Sequence, residues 1–258
     1  MPHLQLPDGA SLYYETHGPK PGTAPAIVFA HGAGGNHLSW WQQVPHFRDR
    51  YTCVVFDHRG WGISSKPADG ARFDGDLRAL LDHLGVERTA IVAQSMGGWT
   101  SLRFALESPG RVERLVLCDT HGGISSPNID GWTKATAENA AKLPPGVHPA
   151  VGERMYAEQP VLASLYEQID TLNRITRQEI FAAIQQAGTV APEEAATIAF
   201  PVTVLYGEED IVIPPPFLEA AAAAIPGARV VRIPNAGHSA YFERPEAFNA
   251  AVDEFLSA

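Results

Sequence analysis

Thr89-Ala90-Ile91-Val92-Ala93-Gln94-Ser95-Met96-Gly97-Gly98 is the stretch that decides how this chain folds. Thr89 to Ala93 is a short apolar run rich in β-formers, which predicts a strand buried on both faces. A helix is expected to follow, reaching about Ser108 and ended by Pro109-Gly110. Ser95 therefore falls in a very tight strand-to-helix turn. Such a turn forces strained backbone angles on its central residue, so the neighbours two positions away must be small. Ala93 and Gly97 meet that demand. The turn lifts the serine hydroxyl clear of the sheet and points the following backbone N–H groups, Met96 first, toward any oxyanion that forms.

The same rhythm extends in both directions. Leu4 to Leu6 and Leu12 to Glu15 flank Asp8-Gly9, a hairpin signal. Ala26 to Ala30 and Tyr51 to Phe56 are further apolar runs, each feeding a glycine-bearing loop. Phe73, Leu77, Leu80, Leu81 and Leu84 recur at helical spacing up to Gly85, and Arg114 to Cys118 is another strand. Strand alternating with helix predicts an α/β fold, a mostly parallel central sheet flanked by helices. The alternation breaks near Thr120. From there to about Ala199 the chain reads as helical stretches, at Ile129 to Leu143, Ala150 to Ala157, Val161 to Leu172 and Arg177 to Ala187. It resumes with strands at Val202 to Tyr206 and Arg229 to Ile233, and helices at Pro216 to Ile225 and Pro245 to Leu256. The expected division is a core of residues 1–119 and 200–258, with 120–199 inserted as a helical unit.

Composition narrows the function. The chain has 258 residues, 45% of them hydrophobic and 19% charged, enough to bury a core. Its net charge of −10 offers no positive field for nucleic acid or an anionic membrane. No apolar run approaches the ~20 residues that span a bilayer, and no leader pattern opens the chain, so a cytoplasmic protein is expected. Cys53 and Cys118 lie inside predicted strands and are expected buried and reduced. The histidines His37, His46, His58, His83, His121 and His148 are scattered without metal-ligand spacing. No metal and no cofactor are expected, and Gly32-Ala33-Gly34-Gly35 lacks the spacing of a dinucleotide fingerprint.

A serine needs an adjacent base to act as a nucleophile. His238, in Pro234-Asn235-Ala236-Gly237-His238, follows the last strand. Asp210, in Gly207-Glu208-Glu209-Asp210, follows the strand before it and is the candidate to orient the histidine. Glu208, Glu209 and the more distant Asp119 are rivals for that role. In a parallel sheet all three loops lie at the carboxyl ends of strands, where ligands bind.

Together these segments resemble the α/β-hydrolase family over nearly the whole chain. His31-Gly32-Ala33-Gly34 resembles its oxyanion loop, and Asp57-His58-Arg59-Gly60-Trp61-Gly62-Ile63-Ser64 its D-x-R-G-x-G-x-S turn. Ala93 to Gly97 resembles the nucleophile elbow, with Ala93 where the family usually has Gly. Gly207 to Asp210 and Gly237-His238 resemble the acid and base loops. The resemblance implies a Ser95–His238–Asp210 triad, an oxyanion hole of the Ala33 and Met96 N–H groups, and a helical cap formed by the insertion. His31 is expected to orient its loop, and Asp57 and Arg59 to form an ion pair or hydrogen-bond network. Serine at position 95 argues against the carboxylate-nucleophile chemistry of the resembling haloalkane dehalogenases and epoxide hydrolases.

The expected activity is cofactor-independent serine hydrolysis of a small to medium, largely uncharged carboxylic ester or lactone. Carbon–carbon bond hydrolysis of a 1,3-dicarbonyl or meta-cleavage-type compound, enol-lactone hydrolysis, perhydrolysis, and a ligand receptor with vestigial hydrolysis are the alternatives. Trp40 (or its neighbour Trp41), Trp132, Tyr156, Leu162 and Phe181 are the candidate pocket residues, with Met155 and Leu165 beside them. The acidic balance disfavours anionic substrates unless Arg154, Arg174 or Arg177 makes a local exception. A small-molecule substrate is the expected partner, and monomer and homodimer are both open.

Overall fold

A computed structural model describes residues 2–65 and 67–258. Eight strands form one sheet in the order β1-β2-β4-β3-β5-β6-β7-β8. They are β1 His3–Gln5, β2 Ser11–His17, β3 Ala26–Ala30, β4 Thr52–Phe56, β5 Thr89–Gln94, β6 Val112–Cys118, β7 Val202–Gly207 and β8 Arg229–Ile233. β1 and β2 pair antiparallel, as do β2 and β4; every pair from β4 to β8 is parallel. The first hairpin turns at Gly9, whose φ of +87° suits a residue without a Cβ.

Eleven α-helices among the described residues accompany the sheet: α1 Gln43–Phe47, α2 Phe73–Leu84, α3 Gly97–Glu107, α4 Trp132–Ala140, α5 Gly152–Glu158, α6 Pro160–Thr171, α7 Arg177–Ala187, α8 Pro192–Ala195, α9 Pro215–Ala223, α10 Ala240–Glu243 and α11 Pro245–Ser257. Strand alternation sorts the core into two layers. Ala26, Val28 and Ala30 of β3 join Leu77, Leu102 and Leu218 of α2, α3 and α9 in one cluster. Ile27 and Phe29 of the same strand join Val44, Phe47, Phe248 and Val252 of α1 and α11 in another. The central strands β3, β4 and β5 are buried at every residue, which explains why they read as unbroken apolar runs rather than alternating ones.

Between β6 and β7 the described residues contain helices α4 to α8 and no strand, with only a parallel bridge joining Ile124 and Val190. The N-termini of α4 and α5 fall later than the periodicity suggests. Residues before Trp132 are taken up by turns around Ile129, and α5 starts only at Gly152, whose φ is +62°. Helix α7 begins at Arg177 because Thr176 accepts from Glu179 N, while Glu179 accepts in return from Thr176 N, a capping box.

Candidate active site

The elbow after β5 places Ser95 at φ +48°, a left-handed conformation that costs a side-chain-bearing residue about 1–2 kcal/mol. Close packing enforces it. A Cβ at Gly97 would run into the carbonyls of Ala30 and His31, and one at Gly98 into the Thr120 side chain. Ala93 is fully buried in register with Ala30 and Leu117, so the strand accommodates its methyl. The Ser95 Oγ lies 2.9 Å from His238 Nε2, and His238 Nδ1 lies 2.8 Å from Asp210 Oδ2. The other Asp210 oxygen accepts from Val212 N at 2.8 Å and Ile213 N at 2.9 Å. An acceptor-only carboxylate fixes the tautomer: Nδ1 carries the proton, and Nε2 is free to accept the serine proton. His238 and Asp210 are both buried, which keeps solvent from competing for these bonds.

The rival carboxylates are engaged elsewhere. Glu209 holds Arg154 in a forked pair, with contacts of 2.6 Å, 2.9 Å and 3.1 Å. Glu208 is exposed. Asp119 accepts from Gly207 N at 2.8 Å and Ala240 N at 3.3 Å, so it ties the acid loop to the base loop without touching the imidazole. Burial, reinforced by nearby Asp210, pushes the Asp119 carboxyl far above its ordinary range. Of the two carboxylates, only Asp210 touches the His238 ring.

Neither the Ala33 N–H nor the Met96 N–H has a hydrogen-bond partner among the described residues. Both belong to segments adjacent to Ser95. A Cβ at Gly32 would come within 2.9 Å of Ser95 Cβ. The loop that carries Ala33 is held by Trp61, whose Nε1 donates to Ala33 O at 2.8 Å. Behind it lies a buried chain. Thr100 Oγ1 donates to His58 Nε2 at 2.8 Å, His58 Nδ1 and N donate to His31 Nε2 at 3.0 Å, and His31 Nδ1 donates to Gly32 O at 2.8 Å. Each ring is thereby committed to one neutral tautomer. Burial agrees, holding His31 down at about 4 and His58 well below its usual value. Asp57 and Arg59 do not pair with each other as expected. Asp57 accepts from His37 and Ile63 N, and Arg59 bridges Asp76 and Asp8.

A cavity of about 690 Å³ opens over Ser95 and His238, a size suited to a small ligand. The core contributes Ala33, Gly34, Gln94 and Val212 to its walls, and the 120–199 segment contributes α4, α6 and the start of α7. Phe181 lines it as expected; the other candidate pocket residues do not. Trp40 is fully buried against Phe29 and Tyr241. Trp41 rests on Phe242 at the surface. Trp132 packs on Trp99 and His121, so α4 turns its small residues Thr133, Thr136, Ala137 and Ala140 to the cavity instead. Tyr156 is held by Glu167 and the His148 N–H, Met155 is buried, and Leu162 and Leu165 pack against the second core cluster.

Three supporting side chains carry no signal in the sequence. Gln94 Nε2 donates to His238 O at 2.8 Å. Glu243 accepts from Gly237 N at 2.9 Å and Ser239 N at 3.2 Å, one on each side of His238. Asn173 donates to Gly35 O and accepts from Gly62 N and Asn36 Nδ2, joining the inserted segment to two core loops. Only the adjacency of Gln94 to the serine could have drawn attention to any of them.

Residues 27–251 match the model of the alpha/beta hydrolase family. The RutD protein of Caulobacter sp. (strain K31), whose name is that of a carbamate hydrolase, is 29% identical over 95% of this chain and 96% of its own. The 3-oxoadipate enol-lactonase 2 of Acinetobacter baylyi is 28% identical over 95% of this chain and 93% of its own. Among solved structures, the enol-lactonase from Burkholderia xenovorans LB400 superposes with a TM-score of 0.81 at 28% identity, over all of both chains. No described helix is long and apolar enough to cross a membrane. With the family model covering most of the chain and the sheet order and elbow in place, this protein belongs to the alpha/beta hydrolase family.

Proposed function

We propose that this protein is a serine hydrolase of carboxylic esters or lactones, acting through an acyl-enzyme. The observation that carries this reading is the Ser95–His238–Asp210 relay, with contacts of 2.9 Å and 2.8 Å at the floor of a ligand-sized cavity. Ser95 Oγ attacks the substrate carbonyl carbon while its proton passes to His238 Nε2. Asp210 stabilises the imidazolium and stays ionised. The Ala33 and Met96 N–H groups receive the oxyanion, each donor supplying about 3 kcal/mol of transition-state stabilisation. His238 returns the proton to the leaving oxygen as the carbon–oxygen bond breaks. It then takes a proton from water, whose oxygen attacks the acyl-enzyme, and passes that proton to Ser95 Oγ as the acyl–oxygen bond breaks and the acid leaves.

Residues 120–199 act in this reading as a cap over the core of residues 1–119 and 200–258. The walls beside the serine are largely apolar, through Ala33, Ala137, Ala150 and Val212, which suits an uncharged chain next to the reacting carbonyl. Two of the relatives are enol-lactonases by name, which favours a lactone over the carbon–carbon and receptor alternatives. A fluorophosphonate probe tests the nucleophile. It is expected to label the wild type and not Ser95→Ala, with p-nitrophenyl ester hydrolysis lost in the same variant. Equal labelling of the two proteins would refute the assignment.

A further inference from the structure

One group in the cavity has no task in the chemistry above. Arg177, at the start of α7, lines the same cavity as Ser95 and His238, and it is the only Lys or Arg among the described lining residues. It has no ion-pair or hydrogen-bond partner among the described residues. The other cap arginines differ. Arg154 is consumed by Glu209 and Glu158 outside this cavity, and Arg174 does not line it. The one acidic group in the lining, Asp170, faces His148 Nε2 at 3.6 Å. His148 Nδ1 accepts from Ala150 N, so Nε2 carries its proton toward Asp170. The cavity thus contains one carboxylate, set beside an imidazole N–H, and one guanidinium without a partner.

We propose that Arg177 determines specificity by binding a carboxylate that the substrate carries away from its reacting carbonyl, so that the preferred ester or lactone is an acidic one. This rests on the serine-hydrolase reading of the same site. A guanidinium presents two parallel N–H donors that match a carboxylate, a geometry a lysine does not offer. An exposed arginine gains little from an ion pair in open solvent. Arg177 is itself exposed, and what makes its contact selective is its place in the lining of the cavity that holds Ser95. The apolar walls next to Ser95 receive the uncharged part of the chain, and Arg177, on the cap side, receives its acidic end. The net charge of −10 does not prevent this, since screening in physiological salt confines charge effects to ~8 Å.

The test pairs p-nitrophenyl hemisuccinate, hemiglutarate and hemiadipate with neutral p-nitrophenyl esters of equal chain length. At least one acidic member is expected to exceed its neutral counterpart in kcat/KM, and Arg177→Gln is expected to lower that ratio by about tenfold or more. Adipate is titrated in parallel into Ser95→Ala and into the Ser95→Ala, Arg177→Gln double variant, with a loss of about tenfold in affinity expected in the second. A ratio unchanged by Arg177→Gln overturns the proposal. So does adipate binding that is equal, or undetectable, in both proteins. The titration needs no turnover, so failure of the nucleophile assignment, seen as absent fluorophosphonate labelling, is read separately from failure of Arg177.

Discussion

Asp210→Asn is the sharpest perturbation of the proposed relay, because the structure dictates how the amide must sit. The Asp210 oxygen facing Val212 N and Ile213 N accepts two hydrogen bonds, at 2.8 Å and 2.9 Å. An asparagine keeps both only if its carbonyl oxygen occupies that place. Its NH2 then faces His238 Nδ1, where a carboxylate oxygen now accepts at 2.8 Å. Two donors cannot share that bond, so the ring adopts the other tautomer and presents a proton, not a lone pair, to Ser95. The variant also loses a charge-assisted bond at a side chain with no solvent exposure, where screening does not soften the loss. A wrong tautomer in a serine triad costs about 10⁴ in kcat, or about 5 kcal/mol. Stability changes much less, by about 1–2 kcal/mol, because the two backbone bonds persist. The assay is p-nitrophenyl butyrate turnover with a parallel thermal melt, and Glu209→Gln and Asp119→Asn serve as comparisons. Activity within tenfold of wild type in Asp210→Asn, with collapse in either comparison, would refute the relay.

Two further outcomes follow from the strained and buried groups around it. Ser95→Gly is expected to be more stable than Ser95→Ala by about 1 kcal/mol, since both lack the hydroxyl and only alanine keeps the strain at φ +48°; equal denaturation midpoints would show that the elbow stores no such strain. Burial lifts the Glu243 carboxyl from 4.5 to about 8, so the folded state holds a proton that the unfolded state releases. Its stability contribution is complete below about pH 4.5 and is lost as pH rises through 8. The stability gap between wild type and Glu243→Gln, measured by urea denaturation at pH 5, 6.5 and 8, should therefore narrow toward alkaline pH; a constant gap would contradict it.

The sheet was legible because its central strands are buried on both faces. Full burial removes the need for alternation, and Ala26–Ala30 and Thr89–Ala93 stand out as short apolar runs closed by glycine-bearing loops. The inserted helices were harder to bound. No residue of α4 is buried, so packing does not set where it starts, and turns around Ile129 delay it to Trp132. The supporting residues were hidden for a different reason. Glu243 clamps the loop of His238 through backbone N–H groups, and any stretch of chain presents those. Only the folded path of the loop shows which carboxylate meets them.

The contrast between triad and pocket has the same origin. Ser95, Asp210 and His238 each sit just past a parallel strand, and the topology of such a sheet brings strand ends to one edge whatever the side chains are. Pocket residues have no such rule. On α4, Trp132 packs on Trp99, and the threonines and alanines of the same helix line the cavity. Large aromatic side chains are drawn to the core by the area they bury, so aromatic content selects packing positions rather than cavity walls. Charge behaves alike. A net of −10 is summed over a surface on which nine arginines are already paired with acids. A ligand entering the cavity meets only what lines it. There one guanidinium without a partner, Arg177, stands against one carboxylate, Asp170, so the cavity does not share the acidic surplus of the whole chain.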